Sequence, residues 1–407
     1  DGGAISLPQL PNDNGEFGRA VSFAESYTVD SVLGVRPTCV VGAPYANNQR
    51  GRVVDYAQLS QSLEEDVLSF SIGITDYLDT ADHAGHVVSS CDFNGDTYAD
   101  VIVGTDHHIS DALTGKVFVF FGGPNKDNRF DVIIRPTYQR VGGWSQFGGV
   151  VAGVRSITGD NCGDLIIGDA DRGSVYIVFG RPLEKSHDDP PFEILISGSG
   201  GEALVKTVPI DGIVQAAGGG DLTGDTVADI VLATRTSSTG TVYVCPGPIT
   251  VSGPLSFHAT IDGPATFGEQ LDLRGDVDGD EFNDLIIGGR RVTTYGQSTG
   301  RVSIVLGGPR LLQGAVVHCP WNAITTRSVW QLVPPGLENG AEFGSSVGYL
   351  ADQDGDGKDQ IFVGAPAAGT PTGQPGELFG FNLSESAIDI AAEAAPITAG
   401  PTCGASN

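Results

Sequence analysis

Short apolar runs recur along the chain, separated by loops rich in glycine and aspartate, and they fall into a larger pattern that repeats roughly every 55–75 residues. An aromatic-glycine step opens most units (Phe17-Gly18, Phe147-Gly148, Phe267-Gly268 and Phe343-Gly344), with Ala84-Gly85 and Ile213-Val214 in the equivalent places of two others. A short apolar strand follows, then an aspartate-rich loop. The second strands read CVVGAP (Cys39–Pro44), DVIVGT (Asp100–Thr105), DLIIGD (Asp164–Asp169), DIVLAT (Asp229–Thr234), DLIIGG (Asp284–Gly289) and QIFVGAP (Gln360–Pro366). A glycine turn leads to third strands such as GKVFVFFG (Gly115–Gly122), GSVYIVFG (Gly173–Gly180) and GELFGF (Gly376–Phe381). Several units offer a fourth: DVLSFSI (Asp66–Ile72), FDVIIR (Phe130–Arg135), FEILIS (Phe192–Ser197) and LSFHATI (Leu255–Ile261).

These runs are rich in Val, Ile, Leu and Phe and alternate little, as strands buried on both faces do. Four short strands per unit, joined by tight turns, describe a propeller blade. The expected fold is therefore all-β, a β-propeller of six blades. A seventh, degenerate blade within 309–341 is the alternative count. On the six-blade reading, 309–341 is an insertion in blade five. The propeller spans 1–383 as one domain, Ala4-Ile5-Ser6-Leu7 supplies the outer strand that closes the last blade, and 384–407 is a tail.

Composition supports strands over helices. Glycine contributes 59 of 407 residues and charged residues only 18%. The net charge, 22 − 50 = −28, argues against nucleic acid or anionic lipid as partners and for cations. No run of about 18 apolar residues is present, so no membrane-inserted helix is expected.

The acids cluster. Four loops share the spacing D-x-[DNT]-G-D-x-x-x-[DQ]: Asp92/Asn94/Asp96/Asp100, Asp221/Thr223/Asp225/Asp229, Asp276/Asp278/Asp280/Asp284 and Asp352/Asp354/Asp356/Gln360. Oxygens at positions one, three and five converge on one hard cation when glycine lets the loop curl, and position nine completes the shell. That is the logic of an EF-hand in a shorter loop, and it selects Ca2+, about three to four ions for the chain. The Asp276 loop carries carboxylates at all four positions. Asn94 and Thr223 place neutral oxygens at position three, and Gln360, next to Asp359, replaces the last carboxylate. A fifth loop, Ser156/Thr158/Asp160/Asp164, lacks the first one, and blade one has no such loop.

Six cysteines (Cys39, Cys91, Cys162, Cys245, Cys319 and Cys403) include no CxxC pair, which disfavours zinc and fits disulfides in an oxidising compartment. Pairs between neighbouring blades, Cys39–Cys91 and Cys245–Cys319, are the expectation from proximity in the repeat. The start at Asp1 without Met fits a secreted chain whose leader has been removed.

Together the aromatic-glycine openings, the Gly-Ala-Pro strand ends and the aspartate loops resemble the FG-GAP repeats of integrin α-chain propellers. The chain is also similar to the propeller of glycosylphosphatidylinositol-specific phospholipase D. The resemblance implies calcium on one face and protein ligands on another, at the cell surface or in an extracellular assembly. Integrin propellers have seven repeats where six are legible here, and only Gly123–Trp144 separates blades two and three.

Three motifs carry less. Arg274-Gly275-Asp276 spells an adhesive tripeptide, but a calcium-bound Asp276 is not available to a receptor. Asn382-Leu383-Ser384 is a glycosylation sequon. The histidines His83, His86, His107 and His108 lack a nucleophile partner at recognisable spacing, so no catalytic site is expected. The functional expectation is a non-catalytic, calcium-binding interaction or adhesion module. A glycan-binding propeller using Trp144, Tyr295, Trp321 and Trp330 is the alternative, and a polysaccharide-acting enzyme stands further off.

Overall fold

A computed structural model of the chain describes residues 19–30, 34–59, 62–72, 75–78, 82–106, 114–138, 146–184, 189–197, 204–257, 259–294, 297–309, 329–332, 340–352, 354–367 and 377–382. The apolar runs become strands, and the strands form six sheets, antiparallel but for one parallel pairing, that are the blades of a β-propeller. Two small hairpins, one short helical turn (Ala46–Gln49) and one 3-10 turn (Ala170–Arg172) complete the described elements.

The residues fall into two compact units, Asp1–Val151 with Arg181–Glu202, and Ala152–Gly180 with Ala203–Asn407. The first holds blade one (Ala20–Asp30, Gly34–Ala43, Arg52–Leu59, Ser62–Val67) and blade two (Val87–Cys91, Asp100–Gly104, Val117–Phe120, Val132–Pro136). The second holds most of blade three (Val150–Val154, Asp164–Asp169, Ser174–Val178, Val205–Pro209) and all of blade four (Ile213–Gly218, Ile230–Arg235, Thr239–Cys245, Ala259–Pro264). It also holds blade five (Gln270–Gly275, Asp284–Gly289, Arg301–Val305, Val329–Leu332) and blade six, with three strands (Ser346–Leu350, Gln360–Ala365, Glu377–Phe381).

The second strands are buried throughout in blades two, three and five, as their unalternating sequences require. The core lies between facing sheets. In the second unit, Val231 and Val242 of blade four pack in one cluster with Phe267, Leu285 and Ile287 of blade five. Glycine makes this approach possible. A Cβ on Gly288, near the end of blade five's second strand, would stand 2.5 Å from the carbonyl oxygen of Gly344, which opens blade six at φ +88°. Gly42 and Gly85 repeat this contact in the first unit at 2.1 Å. Gly288→Ala is expected to lower stability by about 3 kcal/mol through overpacking, read as a drop in the thermal midpoint.

Three expectations are corrected. FEILIS was expected to be the fourth strand of blade three, but Phe192–Ile196 joins blade two as a fifth strand, parallel to Val132–Pro136. Arg135 Nε donates to Glu193 Oε1 across that pairing. Val205–Pro209 takes the place in blade three. Residues 309–341 are not wholly an insertion, because Val329–Leu332 completes blade five, with Trp330 opposite Ile304. The expected Cys39–Cys91 pair is not formed, and the Cys245–Cys319 expectation reaches outside the described residues. Between Cys39 and Cys91 lies the first strand of blade one. Phe23 of that strand pairs with Cys39, and its carbonyl accepts the Ser90 hydroxyl at 2.8 Å. Cys245 is fully buried, and desolvation pushes its thiol far up. Cys319, Cys403, Phe17-Gly18, Ala4–Leu7 and the tail lie outside the described residues.

Candidate metal centre

Each aspartate loop joins the first strand of its blade to the second, and its first aspartate builds it. Asp276 Oδ1 accepts the N–H groups of Gly279 (2.7 Å) and Asp280 (3.3 Å), and Oδ2 accepts that of Glu281 (2.8 Å). Asp92 does the same with Gly95, Asp96 and Thr97, and Asp221 with Gly224, Asp225 and Thr226. Asp352 accepts from Gly355 and Gly357, and those bonds hold its carboxyl below the usual range. The position-five carboxylates of Asp96, Asp225, Asp280 and Asp356 each accept the N–H two residues on. The Asx turns that glycine permits thus curl every loop the same way.

Position nine does more than complete a shell. Asp100, Asp164, Asp229 and Asp284 are fully buried. In each, one oxygen accepts an N–H within the loop, from Phe93, Ile157, Thr223 and Val277 respectively. The other accepts an N–H just beyond the third strand, from Gly122, Gly180, Gly247 and Gly307. This carboxylate staples the loop to the blade, and it does so at Asp164 even though that loop begins with Ser156.

Burial sets the electrostatics. Desolvation pushes Asp229 and Asp284 up to about 7, against the pull of their two N–H donors, and raises Asp100 well above the carboxylate range. Desolvation likewise raises Asp164 from 3.8 to about 6. Between those values the folded chain holds this proton more tightly than the unfolded chain does. Its contribution to stability is therefore largest below about pH 4 and is lost as pH rises through about 6. Melting wild type and Asp164→Asn without metal at pH 4.5 and 7 is expected to show the wild type gaining relative to the variant at the lower pH.

Two loops gather three carboxylate oxygens within 4.8 Å of one another among the described residues: Asp276 with Asp278 and Asp284, and Asp352 with Asp354 and Asp356. In the first, Asp278 Oδ1 is buried and has no hydrogen-bond partner. Desolvation, then the charges of Asp280 and Asp276, push Asp278 up to about 6. An orphaned oxygen among like charges fits a hard cation with oxygen ligands, so these residues suit Ca2+.

The other loops are satisfied more fully from within. Asn94 Nδ2 donates to Asp96 Oδ2 at 3.0 Å, and the Thr223 hydroxyl lies 3.5 Å from Asp229 Oδ1. In the last loop Gln360 turns its amide to the Lys358 carbonyl at 3.0 Å and to Asp354 at 3.5 Å. Asn382, the sequon asparagine, also donates to Asp354. In Arg274-Gly275-Asp276 the guanidinium is paired with Asp272 and the carboxylate accepts N–H groups of its own loop, so both charged ends already have partners. His83 is buried with Nδ1 3.0 Å from Asp106. Of the aromatics considered for glycan binding, Trp144, Tyr295 and Trp321 lie outside the described residues.

At position eight nothing in the sequence marks Asn283, and Asp359 reads as part of its own loop, whereas both side chains reach into the preceding blade's loop.

Residues 84–120 match the FG-GAP repeat, a span running from the Ala84-Gly85 opening through the Asp92 loop to the third strand. The fold is an FG-GAP propeller. No curated protein matches the chain. It is similar to a solved structure, a humanised mutant of the Chaetomium thermophilum Polycomb Repressive Complex 2 bound to the inhibitor GSK343, at 11% identity and a TM-score of 0.39. That likeness covers 89% of this chain and 69% of the other. Among the described residues, no helix is long and apolar enough to cross a membrane.

Proposed function

We propose that this FG-GAP propeller is a non-catalytic calcium-binding module that works outside the cell, where it recognises protein ligands. The observation that carries the calcium reading is Asp278 Oδ1, buried and without a partner between Asp276 and Asp284. Four loops of matched spacing in successive repeats support it. Calcium organises the loops, and the propeller fold is consistent with a role in protein interaction. Extracellular calcium modules bind at about 10⁻⁴–10⁻³ M, a range suited to loops as exposed as Asp352–Asp356.

Isothermal titration of the metal-stripped chain is expected to show saturable calcium uptake, with one site lost in Asp278→Asn. Magnesium is expected to bind more weakly, because it keeps its waters. Affinity capture from extracellular material, with calcium and with EGTA, is expected to return a protein partner only in calcium. Retention of defined oligosaccharides on a glycan array, with no protein captured, would replace the protein ligand by a glycan.

A further inference from the structure

The metal loops of the second unit touch. Asp359, at position eight of the blade-six loop, stands between two loop origins. Its Oδ2 accepts the N–H of Asp276 at 2.9 Å, its Oδ1 accepts the N–H of Asp352 at 3.1 Å, and its own N–H donates to the Asp276 carbonyl at 2.7 Å. Asp276 and Asp352 are the residues around which the two loops curl. The contact continues at Gly279, where a Cβ would stand 3.4 Å from both the Gly357 oxygen and Lys358 Cγ.

The joint recurs one blade earlier. Asn283 Oδ1 accepts the Asp221 N–H at 2.9 Å, its N–H donates to the Asp221 carbonyl at 3.1 Å, and its Nδ2 donates to the Arg274 carbonyl at 3.0 Å. A carboxylate is an acceptor only, so Asp359 suits a place between two backbone donors. An amide suits the place of Asn283, which faces one donor and one acceptor.

We propose that the calcium loops of blades five and six fill as a linked pair, with Asp359 as the positioning residue that links them. This rests on the calcium reading above. An ion drawing in Asp276, Asp278 and Asp284 fixes the Asp276 backbone. Through the Asp359 carboxylate, which accepts both N–H groups, that fixes the Asp352 backbone from which the second loop starts. Ordering one loop pre-organises the other, and the coupling is reciprocal. The pair then fills over a narrower range of calcium than two separate sites would, and stiffens blades five and six together.

The test is terbium luminescence on the full chain, displaced by calcium. Tyr349, whose hydroxyl donates to the Asp284 carbonyl at 2.6 Å, sensitises the blade-five site, and the Tyr349→Phe chain supplies the blank. Disabling the blade-six loop with Asp354→Asn is expected to weaken calcium at the blade-five site at least about five-fold, the low end of site-to-site coupling. In an Asp359→Ala background the same substitution is expected to leave that site unchanged. Asp359→Asn keeps the acceptor for Asp276 but turns an amide donor on the Asp352 N–H. It is expected to lose most of the cross-effect, and it decides the matter in the same way if Asp359→Ala does not fold.

A blade-five affinity indifferent to Asp354→Asn overturns the linkage while leaving the calcium reading standing. So does a cross-effect that survives without Asp359. Failure of the wild-type chain to take up calcium at all overturns both.

Discussion

Stripping calcium from the purified chain is expected to lower its melting midpoint by about 10 °C or more. An ion held at a hundred times its dissociation constant, about 10 mM calcium for a site of about 10⁻⁴ M, stabilises the folded state by about 2.7 kcal/mol per site. For units of 150–250 residues, each kcal/mol moves the midpoint by roughly 2–4 °C. One filled site thus accounts for about 5–10 °C, and a second carries the loss past 10 °C. The direction follows from charge. Without the ion, Asp276, Asp278 and Asp284 bring oxygens within 4.8 Å of one another, and Asp278 keeps an unpartnered oxygen. Readdition of calcium restores the midpoint, and an equal concentration of magnesium restores less of it. Asp278→Asn lowers the midpoint in calcium but shrinks the effect of EGTA, since it removes both a ligand and a repulsion.

Asp164→Ala is expected to cost about 4 kcal/mol, with or without calcium. Its two oxygens accept the N–H groups of Ile157 and Gly180 in a fully buried place. Truncation leaves both donors unpaired, at about 1–3 kcal/mol each. Urea unfolding with unchanged slope and a lowered midpoint is the expected record. The loop begins with Ser156, so this variant isolates the staple from the metal. Asp284→Ala removes a staple and a ligand together, and its loss is expected to be larger in calcium than in EGTA. A loss at Asp164 that vanished on chelation would show that the staple reading is wrong.

Much of this was legible in the sequence because the repeat marks it. The second strands are apolar without alternation and are buried on both faces, as DLIIGG shows at Asp284–Gly289. The aspartate spacing placed four loops between first and second strands, where they lie. The Gly-Ala-Pro and Phe-Gly signatures were legible as landmarks. Their reason, a glycine backbone of one blade against a glycine carbonyl of the next, appears only when the sheets face each other.

What escaped is tertiary choice. FEILIS reads as a strand, and Phe192–Ile196 is one, but nothing in its letters says that it will lie parallel to Val132–Pro136. The staple escaped because its partners are backbone N–H groups, which have no signature in sequence. Asp359 escaped for a related reason. Beside Gln360 it reads as a displaced ligand of its own loop, whereas its oxygens hold the backbones of Asp276 and Asp352. The Cys39–Cys91 pairing escaped because spacing along a repeat does not show that Phe23 of blade one would lie between Cys39 and the neighbourhood of Cys91.

The most direct test of the central claim is a count of calcium ions retained per chain by native mass spectrometry. About three to four ions are expected on the wild-type chain, one fewer on Asp278→Asn, and the wild-type count on Asp164→Asn. A wild-type chain that retains no calcium at millimolar concentration would contradict that claim.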